Sequence, residues 1–286
     1  MKHLFESCPL GCTEGLEDTE IVLPEGVLRR CRSCGQHVSA CGAAWYETSM
    51  QEFNVPERTL PQGKNKKRYE QRMSKILLRA KKRVCNQGND EPVRLLDVGC
   101  SSGALLQVAQ SCGFQVYGAE PAEKAAARAA QIPEAQVFSG FLQDANYEEN
   151  SFDVVTLFEV IEHLVEPVAL MQEIERILKP SGVLLVGTAN ADSWTMRVLA
   201  EKYEYLDIHS HGGHISFFTP SSMKVLADQV GLEIVDISTK RVNFSEKKDV
   251  GAFLYHMNRI ARELCALPAR WLCKGQDMLV TMQKPS

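Results

Sequence analysis

Three groups of residues in this chain have the types and the spacing to do chemistry. Near its start, Cys8-x3-Cys12 and Cys31-x2-Cys34 stand eighteen residues apart. Two such knuckles bring four thiolates into tetrahedral reach of one Zn²⁺. Gly11 and Gly35 fall where a knuckle needs a positive φ, so that amide N–H groups can turn toward sulfur. The segment holds few apolar residues, and ligation would supply the missing folding free energy, ~10–16 kcal/mol in peptide models. Four thiolates leave no open position, so this zinc is expected to be structural, with His37 or Cys41 as an alternative ligand. The second group is Glu159-x-x-Glu162-His163. On a helix, offsets of three and four put these side chains on one face, where two carboxylates and an imidazole can hold Mg²⁺ or a similar ion. The third is His209-Ser210-His211-Gly212-Gly213-His214, set among Trp194, Tyr203, Tyr205, Phe217 and Phe218. Histidines between glycines do not read as core packing, and an imidazole that titrates near neutrality suits proton removal.

A fourth pattern organises the rest. Val93 to Val98 is a short apolar run of the kind buried on both faces of a parallel sheet. Gly99-Cys100-Ser101-Ser102-Gly103 is a turn, and Ala104 to Ala109 then reads as a helix. The turn's N–H groups and the helix N-terminus face a ligand lying across the strand end. Three readings compete. Gly99-x-Ser101-x-Gly103 fits the nucleophile elbow of a hydrolase, but no oxyanion loop precedes Val93 and Asp97 is odd at that strand end. A dinucleotide site would use the full G-x-G-x-x-G, which is missing. S-adenosylmethionine is the reading the next strand supports. Phe114 to Ala119 ends in Glu120, whose carboxylate can accept from both ribose hydroxyls.

Five segments then carry a resemblance. Leu95 to Gly103, Gly118-Ala119-Glu120-Pro121, Ser151 to Val155, Glu159 to Leu164 and Leu178-Lys179-Pro180-Ser181-Gly182 resemble the successive motifs of class I S-adenosylmethionine-dependent methyltransferases. The nearest group is the ubiquinone-biosynthesis O-methyltransferases, and the likeness covers about residues 65–240. One departure is Ser101, where many members have glycine. The resemblance implies a cofactor site built from Asp97, Gly99, Cys100, Ser101, Gly103, Glu120 and Pro121. It lays the adenine beside Phe141 and Leu142, puts Phe158 and Glu159 under the cofactor, and brings Tyr69 near its methionine end. In the ubiquinone-pathway enzymes a matching Glu-x-x-Glu-His holds a divalent ion, whereas many relatives with the same letters are metal-free. His214 matches a histidine that relatives carry before a Phe-Thr-Pro turn. It would complete a four-ligand cation site with Glu159, Glu162 and His163, or serve alone as base. The catalytic candidates are therefore His214 first, then His163 and Glu162.

The elements that must position these groups follow from pattern. The expected class is α/β: a doubly wound, Rossmann-like, seven-stranded, mostly parallel sheet with a small N-terminal zinc-binding module. The divisions expected are a zinc-ribbon-like module over 1–45, a linker and basic capping helix over 46–90, and the S-adenosylmethionine domain over 91–286. A helical insertion at about 245–274 should hold a pair of helices, Val250 to Leu264 and a short piece around Trp271. Between Lys64 and Arg83 ten cations face the single acid Glu70, while Tyr69, Met73, Ile76, Leu77, Ala80 and Val84 form one apolar stripe. Loops at Gln62-Gly63 and Asn86 to Asp90 bound that helix.

Composition sets the frame. A chain of 286 residues with 44% hydrophobic and 24% charged residues suits a globular domain plus an appendage. A net charge of −4 argues against a wholesale polyanion binder. There is no apolar run of about 18 residues and no signal-peptide core at the start, and ten cysteines suit a reducing compartment. The expectation is a cytoplasmic methyltransferase acting on a small-molecule acceptor, anionic or nucleotide-linked, with O-methylation favoured. Two alternatives stand beside it: an RNA methyltransferase that grips phosphate with the zinc module and basic helix, and a protein that binds S-adenosylmethionine without turnover.

Overall fold

In the computed structural model, described for residues 3–52, 63–85, 92–208, 213–245 and 252–286, two sheets share one core. The chain opens with β1 (Leu16–Leu23), β2 (Gly26–Cys31), β3 (His37–Val38), α1 (Ala43–Glu52) and α2 (Gly63–Cys85). The alternating part follows: β4 (Arg94–Val98), α3 (Ala104–Ser111), β5 (Gln115–Glu120), α4 (Glu123–Ala129), β6 (Gln136–Ser139) and β7 (Phe152–Phe158). Then come α5 (Pro167–Ile177), β8 (Leu178–Ala189), α6 (Trp194–Leu199), β9 (Ser216–Phe217) and α7 (Pro220–Gln229). The chain closes with β10 (Glu233–Lys240), α8 (Ala252–Trp271) and β11 (Asp277–Gln283).

The large sheet has seven strands in the order β10-β11-β8-β7-β4-β5-β6. The pairs among β6, β5, β4, β7 and β8 are parallel, and β11 runs antiparallel between β8 and β10. This is the doubly wound architecture expected. Its central strands are apolar on both faces because helices cover both: Leu95, Leu96, Val154, Val155, Leu157, Val183, Leu184 and Val186 are fully buried. Each such leucine contributes about 1.5–3 kcal/mol by leaving water. The order reverses between β4 and β7, so their carboxyl ends open the crevice where this architecture holds ligands.

The small sheet, β1-β2-β3-β9, ties the N-terminal segment to the rest. Its last strand comes from the far side of the chain, with His37 opposite Phe217 and Val38 opposite Ser216. Cys8, Leu10, Cys31 and Cys34 lie in the same apolar core as Met223, Leu226 and Val230 of the α7 region. Within residues 3–45 the segment is thus packed into the body of the protein.

Two expectations are corrected. The region 245–274 holds one helix, α8, not a pair. The expected gap between Leu264 and Trp271 is absent: the helix runs on through Pro268, which has no N–H for the ladder, and Leu272 N–H donates to Pro268 O. The segment Glu159 to His163 is not an α-helix. It is a single 3₁₀ turn, Ile161–His163, entered through Glu159 at φ +53°. Gln62, the 86–90 loop, Val250, His209 and His211 lie outside the described residues.

Candidate active site

The loop after β4 is shaped by its glycines. Gly99 has φ +75°, and a Cβ there would come within 2.4 Å of Val160 Cγ2. Gly103 has φ +82°, and a Cβ would meet Ile132 Cδ1 at 2.3 Å. Ser101 also takes a left-handed conformation, φ +48°, a region glycine enters more freely than serine. Its N–H donates to Glu120 Oε2 at 2.8 Å, and Ala122 N–H donates to Oε1 at 2.9 Å. Glu120 is therefore locked by two backbone donors at the tip of β5, 8% exposed, beside the loop. Cys100 is buried under the turn against Gly118, where a Cβ would meet its Sγ at 2.7 Å.

Asp97, the fourth residue of β4, is buried and accepts from Thr156 Oγ1 at 2.7 Å. Burial pushes its pKa up to about 7; the Thr156 bond opposes this and the Glu120 charge adds to it. Two acids thus flank one loop. Tyr69, on α2, is half-buried; burial and the nearby Asp97 charge raise its hydroxyl pKa. Phe158 ends β7 half-buried, fitted over Gly187, where a Cβ would come within 2.3 Å of its ring. Of the expected adenine pair, Phe141 is 56% exposed and Leu142 is packed in the core. Pro121 is exposed and lies two residues ahead of α4.

A second cluster lies past the end of β7. Glu162, His163 and His214 offer ligand atoms that lie within 4.8 Å of one another. All three side chains are buried, at 0%, 7% and 1% exposure. Tyr205 Oη donates to Glu162 Oε1 at 2.7 Å and Thr188 Oγ1 donates to Oε2 at 3.1 Å. His214 Nδ1 donates to the Tyr205 carbonyl at 2.9 Å, and His163 Nδ1 donates to that of Gly213 at 3.1 Å. With Nδ1 protonated in each ring, the lone pair of the neutral imidazole sits on Nε2. His214 Nε2 is 3.9 Å from Glu162 Oε1, and the two imidazole centroids are 4.8 Å apart. Tyr205 covers His214 at 4.1 Å between rings, and burial with the charges of Glu162 and Glu159 holds its hydroxyl far above the usual phenol range.

The expected four-ligand cation site is corrected here. Glu159 is exposed, has a left-handed backbone at the end of β7, and does not share the 4.8 Å grouping of Glu162, His163 and His214. One carboxylate and two imidazoles remain. That donor set suits a first-row transition ion better than Mg²⁺, which takes oxygen ligands. The spacing of the sequence gave no sign of Thr188 or of the bonding role of Tyr205; Tyr205 was visible only as one aromatic of the segment.

The third group is sulfur. Cys8, Cys12, Cys31 and Cys34 present Sγ atoms within 4.8 Å of one another, with Cys8 and Cys34 at 3.7 Å. Four sulfurs on a Zn²⁺ at about 2.3 Å stand about 3.8 Å apart, so the set fits that ion. Gly11, at φ +70°, and Gly35, at φ +74°, close turns onto the carbonyls of Cys8 and Cys31. Cys8 is pushed down to about 5, chiefly by the bond with Cys34.

The sulfur and histidine groups are joined through β9. Ser39 N–H donates to Ile215 O at 2.9 Å, and Ile215 N–H donates to Glu162 O at 3.0 Å. Gln36 Nε2 donates to Ser216 Oγ at 2.7 Å, Thr219 Oγ1 to Cys34 O at 3.3 Å, and Tyr46 Oη to His163 O at 2.9 Å.

Comparison with known proteins places the chain in a family. A family model described as a methyltransferase domain matches residues 65–237. The ubiquinone biosynthesis O-methyltransferase of Dinoroseobacter shibae is 31% identical over 159 residues, 50% of this chain and 61% of that protein. The chain thus spans about three fifths of that relative's length. Among solved structures, the plantazolicin methyltransferase BpumL, in complex with a monoazolic desmethylPZN analog and SAH, superposes with a TM-score of 0.54 at 15% identity. That match covers 85% of this chain and 96% of the other. A S-adenosylmethionine dependent methyltransferase from Mesorhizobium loti gives 0.50 at 17% identity, over 73% and 96% of the two chains. At these identities the two structures support the fold.

Proposed function

We propose that this chain, which belongs to the methyltransferase-domain family, transfers the methyl group of S-adenosylmethionine to a hydroxyl of a small-molecule acceptor. The observation that carries this reading is the Gly99–Gly103 turn with Glu120 fixed at its side by the Ser101 and Ala122 amides. Each Glu120 oxygen keeps lone-pair capacity for a ribose hydroxyl beyond its backbone bond. Bound S-adenosylmethionine supplies an electrophilic sulfonium methyl. Glu120 and, when ionised, Asp97 would supply the carboxylate charge for that cation, while burial holds Asp97 partly protonated near neutral pH. Tyr69 closes the site from α2.

Acceptor chemistry falls to the second cluster. His163, the outer ring of the pair at 7% exposure, takes the acceptor's proton at Nε2. His214, behind it, is the positioning ring, held by Tyr205 O and facing Glu162. This reverses the order expected from sequence, in which His214 came first. The remainder of the rate comes from alignment of acceptor and methyl. The relative named above is a ubiquinone biosynthesis O-methyltransferase, which favours a hydroxyl acceptor. The four-cysteine cluster is read as one structural zinc with no part in the reaction.

The test is transfer of labelled methyl from S-adenosylmethionine to a panel of phenols, followed by mass spectrometry. Methylated phenol is expected from the natural chain, with a loss of about 10²–10⁴-fold in His163→Ala and unchanged cofactor affinity. Label that enters RNA instead, or equal turnover in the variant, contradicts the proposal.

A further inference from the structure

Helix α8 turns an apolar face outward. Ile260, Leu264, Leu267 and Trp271 recur at helical spacing, and together with Met257 and Leu272 they are exposed, Trp271 to 81%. The other large apolar side chains exposed among the described residues, Val22, Leu78, Phe141 and Val198, belong to separate elements or loops. The opposite side of α8 is engaged: Ala269 is buried, Asn258 donates to Ser245 Oγ and Arg262 to Asn243 Oδ1. A contiguous apolar row of this kind marks a contact surface.

The charge beside the row says what it meets. Lys240, at the end of β10, has its ammonium pKa lowered by burial and then by Arg72, Arg270 and Arg79. Thr239 Oγ1 donates to Ala269 O at 3.4 Å, which brings the stretch of β10 that carries Lys240 against the part of α8 that carries Arg270. Arg72 and Lys240 line the same shallow depression with Ser238 and Asp277. Along α2 the positive charge continues as Arg72, Lys75, Arg79 and Lys82, all exposed. Of the acids nearby, Asp277 is held by Arg241 at 2.5 and 2.6 Å, Glu70 pairs with Lys66, and Glu263 sits on α8 itself.

A second copy packed on this face would set cations against cations. A nucleic acid would answer the cations and leave the apolar row in water. A bilayer surface with anionic headgroups answers both. We propose that α8 lies in the plane of such a surface, its Ile260–Trp271 row sunk among the acyl chains and Arg72, Arg79, Lys240 and Arg270 on lipid phosphates. No helix among the described residues is long and apolar enough to cross a membrane, so the mode is peripheral.

Flotation with vesicles tests this on the full chain. Binding is expected to vesicles of equal parts phosphatidylglycerol and phosphatidylcholine, and not to phosphatidylcholine alone. Leu264→Asp should abolish it, and Arg72→Ala and Arg79→Ala should each weaken it about fivefold. If Leu264→Asp does not fold, judged by its thermal melt, Trp271→Asp carries the same expectation. Three results would overturn the proposal: no flotation of the natural chain, flotation indifferent to both aspartate variants, or a dimer in solution that these variants dissolve. RNA binding at low salt without flotation would do so as well.

Discussion

The sulfur cluster and the acid–histidine cluster make an instructive pair. Both gather ligand atoms within 4.8 Å, from residues that are buried except for the half-buried Cys12, and they lie at the two ends of one hydrogen-bonded path through β3 and β9. They relate to stability in opposite ways. The four thiols come from two local turns and, with an ion, would hold a segment that has little core of its own. Glu162, His163 and His214 are carried by the surrounding structure: their polar atoms are buried and need Tyr205, Thr188 and two backbone carbonyls to be tolerated. Loaded with an ion, the first cluster would stabilise the fold, while the second draws on the fold's stability to keep an acid and two imidazoles away from water.

The strongest way to break this contrast is to remove a sulfur. If the four thiols hold zinc as proposed, Cys34→Ser should abolish its binding and most of the metal's contribution, on the order of several kcal/mol, and lower the melting temperature sharply. Because Thr219 and β9 rest on this segment, the histidine cluster should be lost with it. Metal analysis together with calorimetric melting reads both effects, and a Cys34→Ser chain with natural stability would dissolve the comparison.

Asp97 sharpens the contrast from the cofactor side. Its folded pKa of about 7 lies above the unfolded value of about 3.8. The protonated acid therefore favours the folded chain below pH ~4, and that contribution is lost as the pH rises through about 7, on the order of 4 kcal/mol. Asp97→Asn should raise the melting temperature of the ligand-free protein at pH 8 and leave it nearly unchanged at pH 4, while weakening S-adenosylmethionine. A variant less stable at pH 8 would show that the carboxylate is not strained there.

Tyr205→Phe is the gentlest probe. It removes the donor to Glu162 Oε1 and should cost about 1–3 kcal/mol. It should also move the pH profile of methyl transfer, because Glu162 is then held by Thr188 and faces His214 with more of its charge. A fall in stability with an unmoved profile would make Tyr205 a packing residue only.

What could be read in advance divides along the same line. The cysteine knuckles, the glycine turn and the acid at the tip of β5 were legible because each is local: spacing alone determines which atoms meet. The parallel sheet followed from apolar runs alternating with helical stripes. The acid–histidine cluster was only half legible, since His214 reaches Glu162 through the placement of β9, and no periodicity encodes that. Glu159 misled because its letters fit a helix, whereas the left-handed turn at the end of β7 sets it apart. The β3–β9 pairing joins His37 to Phe217, 180 positions apart in the chain, and two-residue strands leave no pattern to find.

The most direct test of the central claim is isothermal calorimetry with S-adenosylmethionine on zinc-loaded protein, comparing the natural chain with Glu120→Ala. Saturable heat is predicted from the first, and at least a tenfold weaker fit from the second, at unchanged melting of the sulfur segment. Equal binding by both chains, or heat from neither, would contradict the account.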